Sequence, residues 1–124
     1  MKRDMELVRK ILFSLENSNN TSKWALIQID GYRPNEVSYH LKLLSQAGLV
    51  EAKDLDNGVH SIWVAKSLTW DGHEFLASID DDTVWAKVKG GIKSKGLELG
   101  QISFGVLKEY AKMELKKTLG LETK

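Results

Sequence analysis

The chain has 124 residues, with 18 Lys and Arg against 17 Asp and Glu and a formal net charge of +1. Its content of 42% hydrophobic and 28% charged residues suits a folded chain with room for one compact core, and excludes a disordered polyelectrolyte. Near-balanced charge supplies no bulk attraction to nucleic acid or anionic membrane, and the lack of cysteine excludes disulfides, thiol catalysis and thiolate metal sites.

Met5, Leu7, Val8, Ile11, Leu12 and Leu15 recur at helical spacing and predict a helix over residues 4–16. The polar run from Asn17 to Ser22 ends it, because short polar side chains compete for backbone hydrogen bonds. Residues 24–29 alternate, with Trp24, Leu26 and Gln28 on one side and Ala25, Ile27 and Ile29 on the other, and predict a short strand. Asp30-Gly31 predicts a turn.

Pro34 marks the start of a second helix over residues 35–47, with Arg33 or Asn35 as its cap and Asn35 the chemically better one. Val37, His40, Leu41, Leu44 and Ala47 gather on its apolar face; Asn35, Ser38, Tyr39, Lys42 and Gln46 gather opposite. Gly48 stops this helix in a left-handed conformation. Residues 49–55 and 59–66 then predict a hairpin around Asp56-Asn57-Gly58, with apolar side chains on both faces near its base. Thr69 and Asp71 both have the chemistry of a cap for a helix whose packing side is Phe75, Leu76 and Ile79. Asp71 with Glu74 suggests a variant of reciprocal capping.

Asp80-Asp81-Asp82 favours a break and a new helix start, and residues 83–94 predict a helix with Val84, Trp85, Val88 and Ile92 inward. A bend at 93–96 and an irregular stretch over 97–102 follow. Ser103 caps a final helix reaching Leu119, with Gly120 as its stop. Its stripe of Phe104, Leu107, Ala111 and Leu115 either folds back onto the core or serves dimerisation, for which Leu107, Ala111 and Leu115 are the candidates.

The stretch Glu36-Val37-Ser38-Tyr39-His40-Leu41-Lys42-Leu43-Leu44, followed by Ala47-Gly48-Leu49-Val50, resembles the recognition helix and first wing strand of bacterial winged helix-turn-helix regulators. Leu68-Thr69-Trp70-Asp71-Gly72-His73-Glu74-Phe75-Leu76 resembles the start of the helix after the wing. That likeness covers about residues 5–79. The opening residues 1–11, Tyr39-His40-Leu41-Lys42 and Asp81-Asp82-Thr83-Val84-Trp85 also resemble a family of small uncharacterised proteins of bacteria, phages and prophages, over nearly the whole chain. The implied fold is α+β: a winged-helix-like domain over 1–79 and a C-terminal helical extension over 80–124. Residues 17–33 depart from the regulator pattern, because a polar break, an extended segment and a turn replace its complete middle helix.

The resemblance implies a duplex DNA partner reached through the polar face of helix 35–47 and the wing over residues 49–66. Asn35 and Gln46 offer amides suited to adenine, Ser38, Tyr39 and Lys42 share their face, and Arg33, Lys53 and His60 are placed for phosphate. Residues 83–117 hold eight lysines against three glutamates, and Lys87, Lys89, Lys93 and Lys95 serve either backbone contact or solubility. The competing expectation is a non-catalytic protein-interaction module in which Tyr39 anchors a protein partner. Trp63 and Trp70 are expected to pack inside, His40 to be a hydrogen-bonded core histidine, and Trp24 is left open.

No catalytic set is expected. Position 77 is Ala77 where a metalloprotease helix carries its second histidine, the glycine fingerprints for nucleotides are missing, and the three aspartates suit capping better than metal binding. The expected protein is therefore a cytoplasmic, metal-free and cofactor-free non-enzyme without membrane association, monomeric or a homodimer.

Overall fold

The computed structural model describes residues 1–19, 21–55 and 62–121. Helix α1 spans Met5–Glu16, and the Asp4 carboxylate caps it by accepting from the N–H groups of Glu6 (2.9 Å) and Leu7 (3.2 Å). All six apolar stripe residues of α1 are buried, and this helix packs on α2 (Pro34–Gln46), β2 (Trp63–Leu68) and α3 (Trp70–Ile79). It is the spine of the core.

Among the described residues no helix lies between α1 and α2. The segment before α2 turns at Gly31, whose φ of 86° suits glycine, and the Tyr32 N–H donates to Ile29 O at 3.2 Å. The strand expected over 24–29 is reduced to a single bridge, in which Ala25 exchanges both backbone hydrogen bonds with Ala65 (2.9 and 3.0 Å). Its side-chain alternation survives over 26–29, where Leu26 and Gln28 are exposed and Ile27 and Ile29 half-buried, but not at 24–25, where Trp24 and Ala25 are both exposed.

Arg33, not Asn35, is the N-cap of α2. Pro34 takes the first helical position, leaving Asn35 inside the helix, and the Glu36 carboxylate reaches back to the Arg33 N–H (3.1 Å). Val37, His40, Leu41 and Leu44 are buried as expected; Ala47 is exposed, because the helix ends at Gln46 and Ala47 caps it at the edge of the stripe. Gly48 follows at φ 75°.

Strand β1 (Val50–Asp54) pairs antiparallel with β2, with a register irregularity between Glu51 and Ala52. The second strand thus runs to Leu68 instead of ending at Lys66. Ala65 faces the main core, whereas Val64 is buried outside it, so the hairpin base is covered on both faces. The expected Asp56-Asn57-Gly58 turn and His60 lie outside the described residues.

The cap of α3 is Thr69, whose hydroxyl accepts from the Gly72 N–H (3.0 Å) and donates to Gly48 O (2.6 Å). Asp71 is a first-turn acid and not a cap, since the helix has already begun at Trp70. Trp70 is 78% exposed, contrary to its expected packing role. At about 100° per residue it points away from the mean direction of Phe75, Leu76 and Ile79.

Helix α4 (Asp82–Ser94) is capped by Asp81, whose carboxylate accepts from the Val84 N–H at 2.9 Å. A 3₁₀ turn at Leu99–Gln101 leads into α5 (Phe104–Thr118), capped by Ser103. Arg9 of α1 ties the α3–α4 junction by donating to Ile79 O (2.9 Å), Asp80 O (2.8 Å) and the Asp82 carboxylate (2.8 Å). Val84, Trp85, Val88, Ile92, Leu107 and Ala111 join the same buried cluster as the α1 stripe. The observed fold is α+β, a winged-helix-like core with its middle helix reduced to a turn, extended by α4 and α5.

Candidate nucleic-acid interface

The outward face of α2 carries Asn35, Lys42 and Gln46, all exposed, with Ser38 and Tyr39 half-buried beside them. Helical spacing brings these side chains onto one surface. The opposite face is fixed by His40, only 1% exposed. Its Nε2 accepts from the Asp4 N–H (2.8 Å), which leaves the proton on Nδ1, facing Glu36 O at 2.7 Å. His40 is therefore a neutral packing residue joining α1 to α2, as its place in the apolar stripe predicts.

Ser38 serves the wing. Its hydroxyl accepts from the Trp63 N–H at 3.2 Å, holding the base of β2 against α2. Tyr39 stands edge-on to the His40 ring, with centroids 5.8 Å apart. Both make contacts within the chain, so Asn35, Lys42 and Gln46 form the more open part of this face. Their amides and ammonium can pair with base edges and phosphate.

Lys53 occupies the exposed side of β1, and its ammonium lies 4.5 Å from the Trp24 ring centroid; Lys66 of β2 approaches the same ring at 5.4 Å. Trp24 is 40% exposed, a cation-bracketed ring on the outer face of the sheet and not a core filler. Lys66 was not singled out from sequence. The alternation of 24–29 carries the signal, but its pairing partner is not local information.

Among the described residues of α2, its cap and the hairpin, Arg33, Lys42, Lys53 and Lys66 stand against Glu36, Glu51 and Asp54, so the charges nearly balance. The α4 lysines belong to another element. Helix α4 packs on α3, α5 and the 3₁₀ turn, and Lys89 donates to the Glu6 carboxylate at 2.7 Å beside the Trp85 indole N–H at 3.0 Å. Lys87, Lys93 and Lys95 are exposed on that separate element. Leu107 and Ala111 are fully buried within the chain's own core and Leu115 is half-buried against it. Trp63 is half-buried and packs on the core, as expected.

Tyr32 precedes α2 and hydrogen-bonds Asp4; its phenol pKa is raised by burial first and by the Asp4 charge and hydrogen bond next. The folded chain thus holds this proton more tightly than the unfolded chain. The resulting stabilisation is fully present below the ordinary value of 10.0 and is lost as pH rises through the folded-state value. Tyr32→Phe is expected to cost about 1 kcal/mol at neutral pH and to flatten the alkaline loss of stability. Urea melts of both proteins at neutral and strongly alkaline pH check this; equal alkaline losses would refute it.

Among the described residues no helix is long and apolar enough to cross a membrane. Asp80, Asp81 and Asp82 are divided between the end of α3, the cap of α4 and the pair with Arg9.

Residues 2–98 match a protein family described as "Hypothetical protein (DUF2513)". An "Uncharacterized protein" of Haemophilus influenzae is 40% identical over 121 residues, covering 96% of this chain and 99% of that protein. No solved structure matches. With the family match spanning most of its length and the relative aligned almost end to end, the chain belongs to the DUF2513 family.

Proposed function

We propose that this protein is a cytoplasmic, non-catalytic duplex-DNA-binding protein that serves a regulatory or accessory role in a bacterial mobile element. In this reading α2 enters the major groove and the hairpin lies along the backbone. The carrying observation is the outward face of α2, where exposed Asn35, Lys42 and Gln46 stand beside a wing anchored through Ser38 and Trp63. The mobile-element setting rests on the resemblance of the chain to phage and prophage proteins.

The reading sets a magnitude. Four cations, Arg33, Lys42, Lys53 and Lys66, allow three or four phosphate contacts, so the slope of log K against log salt is expected near about −3. Fluorescence anisotropy with duplex DNA across a salt series measures it. Lys42→Ala with Gln46→Ala is expected to weaken binding at least about tenfold, since each good base contact is worth about 1–3 kcal/mol. Absence of saturable binding by folded protein at low salt would overturn the reading.

The second reading is a protein-interaction module on the same scaffold, homodimeric or with another partner. It is favoured by the near-neutral charge of the α2–hairpin surface and by Trp70, whose ring is largely exposed. It predicts that a protein partner, and not DNA, shields Tyr39 and the hairpin from hydrogen exchange.

A further inference from the structure

The reduced helix between α1 and α2 leaves a groove. A cavity of about 550 Å³ opens between the 26–32 segment, the first turns of α2 and the base of β2. That is the size range of small-molecule sites. Its walls are mainly apolar and aromatic, with Ile27 and Ile29 from the segment, Tyr32 at its end, Val37 from α2 and Trp63 from β2, and Gln28, Asp30, Asn35 and Ser38 are its polar members. The 26–32 segment and α2 are consecutive in the chain, and the distant β2 is held to them by the Ala25–Ala65 bridge and the Ser38–Trp63 hydrogen bond.

The charge of the lining is one-sided. Among the described lining residues Asp30 is the single charged group, it is exposed, and there is no lysine, arginine or histidine. An anionic ligand would meet Asp30 in the lining, with Lys10 outside it over the Tyr32 ring at 5.4 Å; an ammonium would meet Asp30 beside an apolar wall. We propose that this groove binds a small organic molecule with a flat apolar body and a cationic amine head. The body sits between Tyr32 and Trp63, and the head lies toward Asp30. This site does not depend on the DNA-binding reading, although Asn35 and Ser38, which line the groove, also belong to the α2 face assigned to DNA.

The full chain would be titrated with N-phenyl-1-naphthylamine, a neutral dye that fluoresces in apolar sites, and the dye displaced with 1-naphthylmethylamine or 1-naphthoate. One saturable site is expected, with the amine displacing the dye at about threefold lower concentration than the carboxylate, the size of a single exposed charge pair. Gln28→Trp changes an exposed lining residue and leaves the core intact, so a folded variant is expected to lose at least about tenfold in dye affinity by blocking the groove. Asp30→Lys is expected to reverse the order of the two competitors. No saturable dye binding, dye binding unchanged in folded Gln28→Trp, or equal displacement by amine and carboxylate would each overturn the proposal. So would a dimer that Gln28→Trp converts to monomer, because a second copy would then occupy the groove.

Discussion

Gly72→Ala is expected to destabilise the protein by about 3 kcal/mol, more than most single-methyl additions. Gly72 lies in the first turn of α3 and is buried. A Cβ there would stand 1.9 Å from the Leu49 carbonyl oxygen and 2.9 Å from its carbon. Both are backbone atoms, so no side-chain rotation relieves the overlap. The Leu49 carbonyl also accepts from the Thr69 N–H at 3.1 Å, and the Thr69 hydroxyl donates to Gly48 O. The methyl therefore separates the end of α2 from the start of α3 and strains the cap holding them. Chemical denaturation measures the loss. Gly90→Ala is the control: no atom lies within 4 Å of its added Cβ, and in α4 it is expected to be neutral or to stabilise by up to about 1 kcal/mol. Equal stabilities of the two variants would refute the close approach at Gly72.

Leu107→Ala is expected to cost about 3 kcal/mol, within the range for emptying a fully buried leucine site. Leu107 is inaccessible, and α5 packs against α3 and α4 in the same buried cluster that contains the α1 stripe. The loss is therefore expected to lower one cooperative transition that includes α1 through α5. Val106 is its neighbour on the same helix but is 57% exposed, and Val106→Ala is expected to change stability by less than about 0.5 kcal/mol. Melts followed by far-ultraviolet circular dichroism and by tryptophan fluorescence distinguish the cases. A separate early transition of α4 and α5, with the winged-helix residues unaffected by Leu107→Ala, would contradict a shared core.

The elements legible in the sequence are those whose determinants are local. The stripe of α1 repeats at helical spacing, Asp81 and Ser103 have the side chains that cap α4 and α5, and Gly48 and Gly120 adopt the positive φ that ends a helix. His40 was legible too, since a histidine inside an apolar stripe has to find its partners within the core. What escaped depends on distant residues. Trp70 follows an apolar strand, yet the phase of α3 turns it outward. Residues 24–29 alternate like a strand, but only Ala25 reaches a partner, and that partner is forty residues away. Pro34 shifted the cap to Arg33 against side-chain preference.

The candidate interface divides in the same way. The α2 face follows from 3.6-residue periodicity, so Asn35, Lys42 and Gln46 emerged together. The approach of Lys53 and Lys66 to Trp24 requires the sheet register, and the pairing of Lys89 with Glu6 requires the packing of the extension on α1. The hydrogen bond that the Ser38 hydroxyl accepts from the Trp63 N–H likewise depends on the packing of β2 against α2. None of these is written in local spacing.

The most direct test of the interface is a two-dimensional amide spectrum of ¹⁵N-labelled protein during titration with duplex DNA. Progressive shifts are expected at Asn35, Lys42 and Gln46 along α2 and at Lys53 in the hairpin, while α4 and α5 stay unperturbed. Shifts confined to Lys87, Lys93 and Lys95, or none at all in folded protein at low salt, would contradict that interface.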